Sequence, residues 1–100
     1  MTEEGRIQHE IIVYCRAKGY VVIRHNAVKI TGKGIFVKLK PQDAGVTDLI
    51  VATPFGVIFI EVKVPGKDLE LAQKAFKKAI LGVNQRHITA WSLKEVSDLI

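Results

Sequence analysis

Two apolar runs, each broken by a single acid, limit what this chain can become. Asp48-Leu-Ile-Val-Ala52 and Val57 to Val64 are rich in β-branched residues and flank the turn sequence Thr53-Pro-Phe-Gly56. They read as paired strands. The second run is apolar on both faces until Glu61, which predicts a central position in a sheet. A four-residue loop over Thr53 to Gly56, or a two-residue one at Pro54-Phe55, pairs Ala52 with Val57 and sets Asp48 opposite Glu61. Directly opposed side chains share a face, about 5 Å apart. Lys63, two residues beyond Glu61, shares that face too. A three-residue turn would instead pair Asp48 with Val62 and send Glu61 to the other face, unless a bulge restored the register.

The remaining elements surround this pair. Ile7, Ile11, Tyr14 and Cys15 recur at helical spacing from about Glu3 to Lys18, and Gly19 supplies a stop. Tyr20 to Arg24 reads as a strand. Val28 to Leu39 holds two β-rich pieces around Thr31-Gly-Lys-Gly34, a hairpin tip too short to be a phosphate-binding P-loop. Pro65-Gly66 ends the long strand. Asp68 is expected to cap a helix running to about Leu81, before Gly82. Arg86 to Trp91 is a last strand, and Ser92-Leu-Lys-Glu95 is a capping box that opens a short helix. The expected fold is α/β: a mixed β-sheet flanked by helices, in the order αβββαβ plus a short terminal helix, forming one domain over residues 1–100.

Two carboxylates side by side repel unless something positive lies between them. A hard divalent cation, Mg²⁺ or Mn²⁺, fits an all-oxygen site of this kind and can polarise a phosphoryl oxygen. Lys63 would then orient or deprotonate the attacking water, or neutralise charge in the transition state. A salt bridge from Lys63 to one acid at a strand end is the bland alternative.

With these residues in view, the chain resembles a known family. Gly45-Val-Thr-Asp48-Leu-Ile, Phe59-Ile-Glu61-Val-Lys63-Val-Pro-Gly66 and Leu71-Ala-Gln73-Lys-Ala-Phe76 are similar to the PD-(D/E)XK nuclease superfamily, and within it to the VRR-NUC (virus-type replication-repair nuclease) domain. The opening helix and Arg24-His-Asn26 fit as well. Thr47 stands where the family often has proline. The resemblance implies a restriction-endonuclease-like core and a metal-dependent phosphodiesterase. It implies that Asp48, Glu61 and the backbone carbonyl of Val62 bind Mg²⁺ or Mn²⁺, and that Lys63 serves the water. It also implies a further acid on the first helix. Counting back from Gly19 favours Glu10, whereas the opening Glu4-Gly-Arg-Ile-Gln8 favours Glu4. Helical geometry sets Glu4 and Gln8 on the inward Ile7/Ile11/Cys15 face, so Glu4 is preferred. Gln73 shares a stripe with Leu69, Phe76 and Ile80. A polar group there needs a partner, and the resemblance puts it by the active site, holding Lys63 or a water at the metal.

The bulk numbers agree with such an activity. Net charge is +5, with Lys29, Lys33, Lys38 and Lys40 in one segment and Lys74, Lys77 and Lys78 in another. The first four are expected to contact DNA phosphates. The single cysteine, Cys15, cannot form an internal disulfide, and no apolar run has membrane length. A soluble, cytoplasmic protein is expected; the resemblance extends to stand-alone phage versions of the domain, and a phage-encoded chain would work in the host cytoplasm. Branched DNA is the expected substrate, four-way junctions first, as in Holliday junction resolvases. A flap or nick nuclease, or a DNA-binding module with an idle trio, is the alternative. Cutting two symmetry-related strands asks for a homodimer, and Ile35, Phe36, Val37 and Trp91 offer surplus apolar surface. His9, His25 and His87 lack metal-ligand spacing and are expected at the surface or satisfied.

Overall fold

The structure is a computed structural model and describes residues 1–25, 28–30, 36–38 and 45–100. Thr2 caps the first helix, α1 (Glu3–Ala17), by accepting the Gly5 amide at 3.0 Å. Ile7, Ile11 and Cys15 recur every fourth residue along it and are buried. Gly19, at φ +82°, turns the chain into β1 (Val21–Arg24). Two short strands, β2 (Val28–Ile30) and β3 (Phe36–Lys38), pair antiparallel as a separate ribbon. β4 (Leu49–Thr53) and β5 (Gly56–Val62) follow, then α2 (Leu71–Gly82), β6 (Arg86–Ala90) and α3 (Leu93–Ser97).

The main sheet runs β1-β4-β5-β6, with β1/β4 and β4/β5 antiparallel and β5/β6 parallel. The expected mixed sheet flanked by helices is therefore present, and β5 is an inner strand. A parallel pair needs a crossover, and α2 provides it. The turn between β4 and β5 is the two-residue form: Thr53 pairs with Gly56 and Ala52 with Val57. The Thr53 hydroxyl accepts the Phe55 amide at 3.0 Å and donates to the Gly56 carbonyl at 2.9 Å, which fixes the loop length.

Alternation divides the sheet into two chemically different faces. Leu49 and Val51 oppose Ile60 and Ile58; these four and Val62 are fully buried with Ile7, Ile11, Ile12, Cys15 and Val96 in one cluster. This is the α1 face. Ile50, Phe59 and Glu61 point the other way, where Phe76 of α2 meets Phe59 edge-on with ring centroids 5.7 Å apart.

Two caps differ from expectation. Glu70, not Asp68, is the N-cap of α2, in a capping box with Gln73. Asp68 spends its carboxylate on the Leu69 amide (2.7 Å) and on Lys74 (3.1 Å), so the helix starts later. Ser92 is the N-cap of α3, but its hydroxyl bonds the Glu95 carboxylate rather than a helix amide. No described helix is long and apolar enough to cross a membrane.

Candidate active site

Asp48 and Glu61 meet where β4 begins and β5 ends, and each is held by the other's strand. The Asp48 amide donates to Glu61 Oε2 at 3.2 Å, and the Val62 amide donates to Asp48 Oδ2 at 3.1 Å. The predicted opposition is thus locked by backbone donors. Gln73 reaches in from α2 and donates from Nε2 to Glu61 Oε1 at 2.7 Å. Its own Oε1 accepts the Glu70 amide at 2.8 Å. The capping box therefore fixes the orientation of the amide that grips Glu61. The partner of Gln73 is Glu61, where the sequence offered Lys63 or a water at the metal.

Gly45 explains how the loop before Asp48 docks on α2. At φ +83°, a Cβ on it would stand 2.2 Å from the Ala72 carbonyl oxygen and 3.0 Å from the Gln73 amide nitrogen. Only glycine lets these backbones approach so closely. Thr47, where proline was the family's habit, is fully buried and donates to the Leu49 carbonyl at 3.0 Å.

Glu61 is 3% exposed. Burial pushes its carboxyl up to about 8, with the negative Asp48 carboxylate beside it the next cause; the Asp48 amide and Lys63 pull it back only partly. Lys63 is half-buried, and its backbone amide continues the parallel ladder to the Ala90 carbonyl at 2.9 Å. Its charge acts on both Glu61 and Asp68. A buried Glu61 and a half-buried Asp48 that repel each other, next to the Val62 peptide, form an all-oxygen pair of the kind a hard divalent cation takes. The residue types fit a hard divalent cation.

Glu4 does not join them. It is exposed in the first turn of α1, and the expectation that it points inward is corrected. The buried part of α1 starts at Ile7, so the first turn overhangs the core. Glu10 is bound by Arg6 at 2.6 Å. Among the described residues no three His, Cys, Asp or Glu side chains gather at a metal site. Lys29 and Lys38 lie in β2 and β3, whereas Lys33 and Lys40, like Ile35, fall outside the described residues.

The histidines also depart from expectation. His9 is exposed, but His25 and His87 are half-buried, and each has one ring nitrogen buried without a hydrogen-bond partner among the described residues, Nε2 and Nδ1 respectively. Burial, and then the charge of Lys77, pushes His87 down to about 4. The His25 amide donates to the Asp48 carbonyl at 2.8 Å, next to the site. Sequence reasoning missed this neighbour because only the β1/β4 register reveals it.

No protein-family model matches the chain, and no curated protein does. Fold and site together define a restriction-endonuclease-like core: a mixed sheet flanked by helices, with an acid pair where two inner strands meet. More particularly, a solved VRR_NUC domain has the same fold, with a TM-score of 0.74 over 99% of this chain and 95% of that one, at 24% identity.

Proposed function

We propose that this chain is a divalent-metal-dependent endonuclease that hydrolyses phosphodiester bonds in branched DNA, four-way junctions first, as a homodimer. The observation that carries the proposal is the Asp48–Glu61 pair: an otherwise costly buried arrangement, built by two strands and braced by Gln73. The likeness to a VRR_NUC domain supports the same reading. Asp48, Glu61 and the Val62 carbonyl would hold Mg²⁺ or Mn²⁺. Such a cation, when bound, polarises a phosphoryl oxygen and acidifies a water. Gln73 keeps Glu61 in place, and Lys63 orients the attacking water and offsets charge building on the phosphate. Glu4, or Glu10 in its stead, enters only through the family resemblance. Lys29, Lys33, Lys38 and Lys40 contact phosphates, which position the DNA without reading its sequence.

The test is cleavage of end-labelled four-way junction, flap, nicked and plain duplex DNA with Mg²⁺, Mn²⁺ or chelator. Metal-dependent cutting of the junction is expected. Asp48→Asn and Glu61→Gln should each cost about a hundredfold or more in rate. Lys63→Ala should lose most activity while keeping Mn²⁺ affinity by calorimetry; equal loss of metal binding in Lys63→Ala and Glu61→Gln would contradict these roles. A flap cut in preference to the junction selects the flap or nick nuclease. Binding without any cutting selects the idle module.

A further inference from the structure

Trp91 leaves the sheet beside the candidate active site. Ala90 is fully buried at the end of β6, and its carbonyl takes the Lys63 amide at 2.9 Å, so the next residue emerges alongside the Lys63–Val64 exit. The Trp91 indole N–H donates to the Lys67 carbonyl at 2.7 Å. This bond ties the ring to the Pro65-Gly66 turn and fixes its plane. The ring is partly exposed at the end of the sheet. It walls an open depression of about 490 Å³ with Pro65, Gly66, Lys67, Asp68 and Glu95. That volume lies within the roughly 300–1,000 Å³ of small-ligand sites.

The lining has a definite chemistry. Trp91 and Pro65 offer flat, apolar surface. Gly66, at φ +88°, has no atom within 4 Å of where a Cβ would stand, so the turn leaves room. Asp68 and Glu95 line the depression with their carboxylates already engaged, Asp68 by the Leu69 amide and Lys74, and Glu95 by Ser92 and nearby backbone amides. Lys67 is exposed at the rim, positive and free to meet a phosphate. A flat ring with a phosphate attached matches the aromatic wall and the lysine at the rim. A nucleobase has that form, and only an unpaired or flipped one has a face to offer.

We propose that this depression binds an unpaired nucleobase of the DNA substrate, stacked on Trp91, with Lys67 on its phosphate. The proposal rests on the nuclease reading; the unpaired nucleotide is one that a flap carries, and that a four-way junction offers only where a base at the branch point is flipped out.

Trp91 is the one tryptophan in the chain, so its fluorescence reports the site directly. Glu61→Gln protein with Mg²⁺ is titrated with dye-labelled DNA bearing a short single-stranded flap, and with a fully paired duplex of equal length. Anisotropy gives binding, and tryptophan emission gives stacking. Quenching by the flapped DNA and not by the duplex is expected. Trp91→Ala should weaken flapped DNA about tenfold and leave the duplex unchanged, with Trp91→Phe in between. If Trp91→Ala fails to fold, the quenching result decides alone. Binding without quenching, or equal quenching by duplex, overturns the base site. So does emission that shifts with protein concentration instead of DNA, which would mark an interface between copies. Cleavage by the wild type is scored in parallel. Cleavage with an unresponsive Trp91 removes the base site only, whereas neither binding nor cleavage removes the nuclease reading as well.

Discussion

Glu61, buried against Asp48, has two comfortable states: carrying a proton, or facing a cation. This makes the metal-free protein pH-sensitive with a definite sign. Its folded pKa of about 8 lies above the ordinary 4.5, so its contribution to stability is fully present below 4.5 and is lost as pH rises through 8. His87 acts in the opposite sense: its folded pKa of about 4 lies below 6.5, so its contribution is present above 6.5 and fades toward 4. Between about pH 6.5 and 9 the Glu61 effect stands clear of His87. Thermal melts in chelator should show wild-type Tm falling over that range relative to Glu61→Gln, and Mn²⁺ should reverse the fall. Parallel wild-type and Glu61→Gln curves would remove the buried-acid account. The acid pair was legible in the sequence because each acid interrupts an apolar strand. Glu4 is exposed although it shares the angle of the buried stripe, because helical angle does not say whether that turn overhangs the core.

The element that organises the site is α2. Its first turn holds Glu61 through Gln73 and receives the Asp48 loop at Gly45, so both acids are referred to one helix end. Gly45→Ala should separate them. It incurs the positive-φ strain, about 1–3 kcal/mol, and also forces the loop away from the Ala72 carbonyl. Gly19→Ala is the control: its φ is +82°, yet nothing lies within 4 Å of the new Cβ. Chemical denaturation should show the larger loss for Gly45→Ala, and its cleavage should fall about tenfold or more while Gly19→Ala retains activity. Equal behaviour of the two would mean that close approach to α2 is unimportant. The β4/β5 register was readable because both plausible short turns gave the same pairing. The start of α2 was not, because Asp68 is the better N-cap by residue type and only its three-dimensional partners, the Leu69 amide and Lys74, take it from that role.

At the scale of the molecule, β1 and β6 are the edges of the main sheet among the described residues. On β1, Val21 is 62% and Ile23 is 52% exposed, on the same side of the strand. Surplus apolar surface was expected from Ile35, Phe36, Val37 and Trp91; composition shows that a surplus exists but cannot say where it lies. An exposed apolar edge strand invites pairing with a second copy. Light scattering of the free protein should give about twice the 11.1 kDa chain mass, and Ile23→Lys should return it to the single-chain value. A wild-type mass of one chain would oppose the preformed homodimer and favour nicking of flaps over paired cuts. The topology has a separate implication for descent and design. Arg24 and Leu49 are cross-strand neighbours, so everything between β1 and β4, including the β2/β3 ribbon, departs from and returns to adjoining points. Lengthening such a detour costs only about 0.6 kcal/mol per doubling. The β2/β3 ribbon is thus an exchangeable part of that detour: ancestry or engineering can rewrite it while the Gly45–Asp48 approach and Glu61 keep their places.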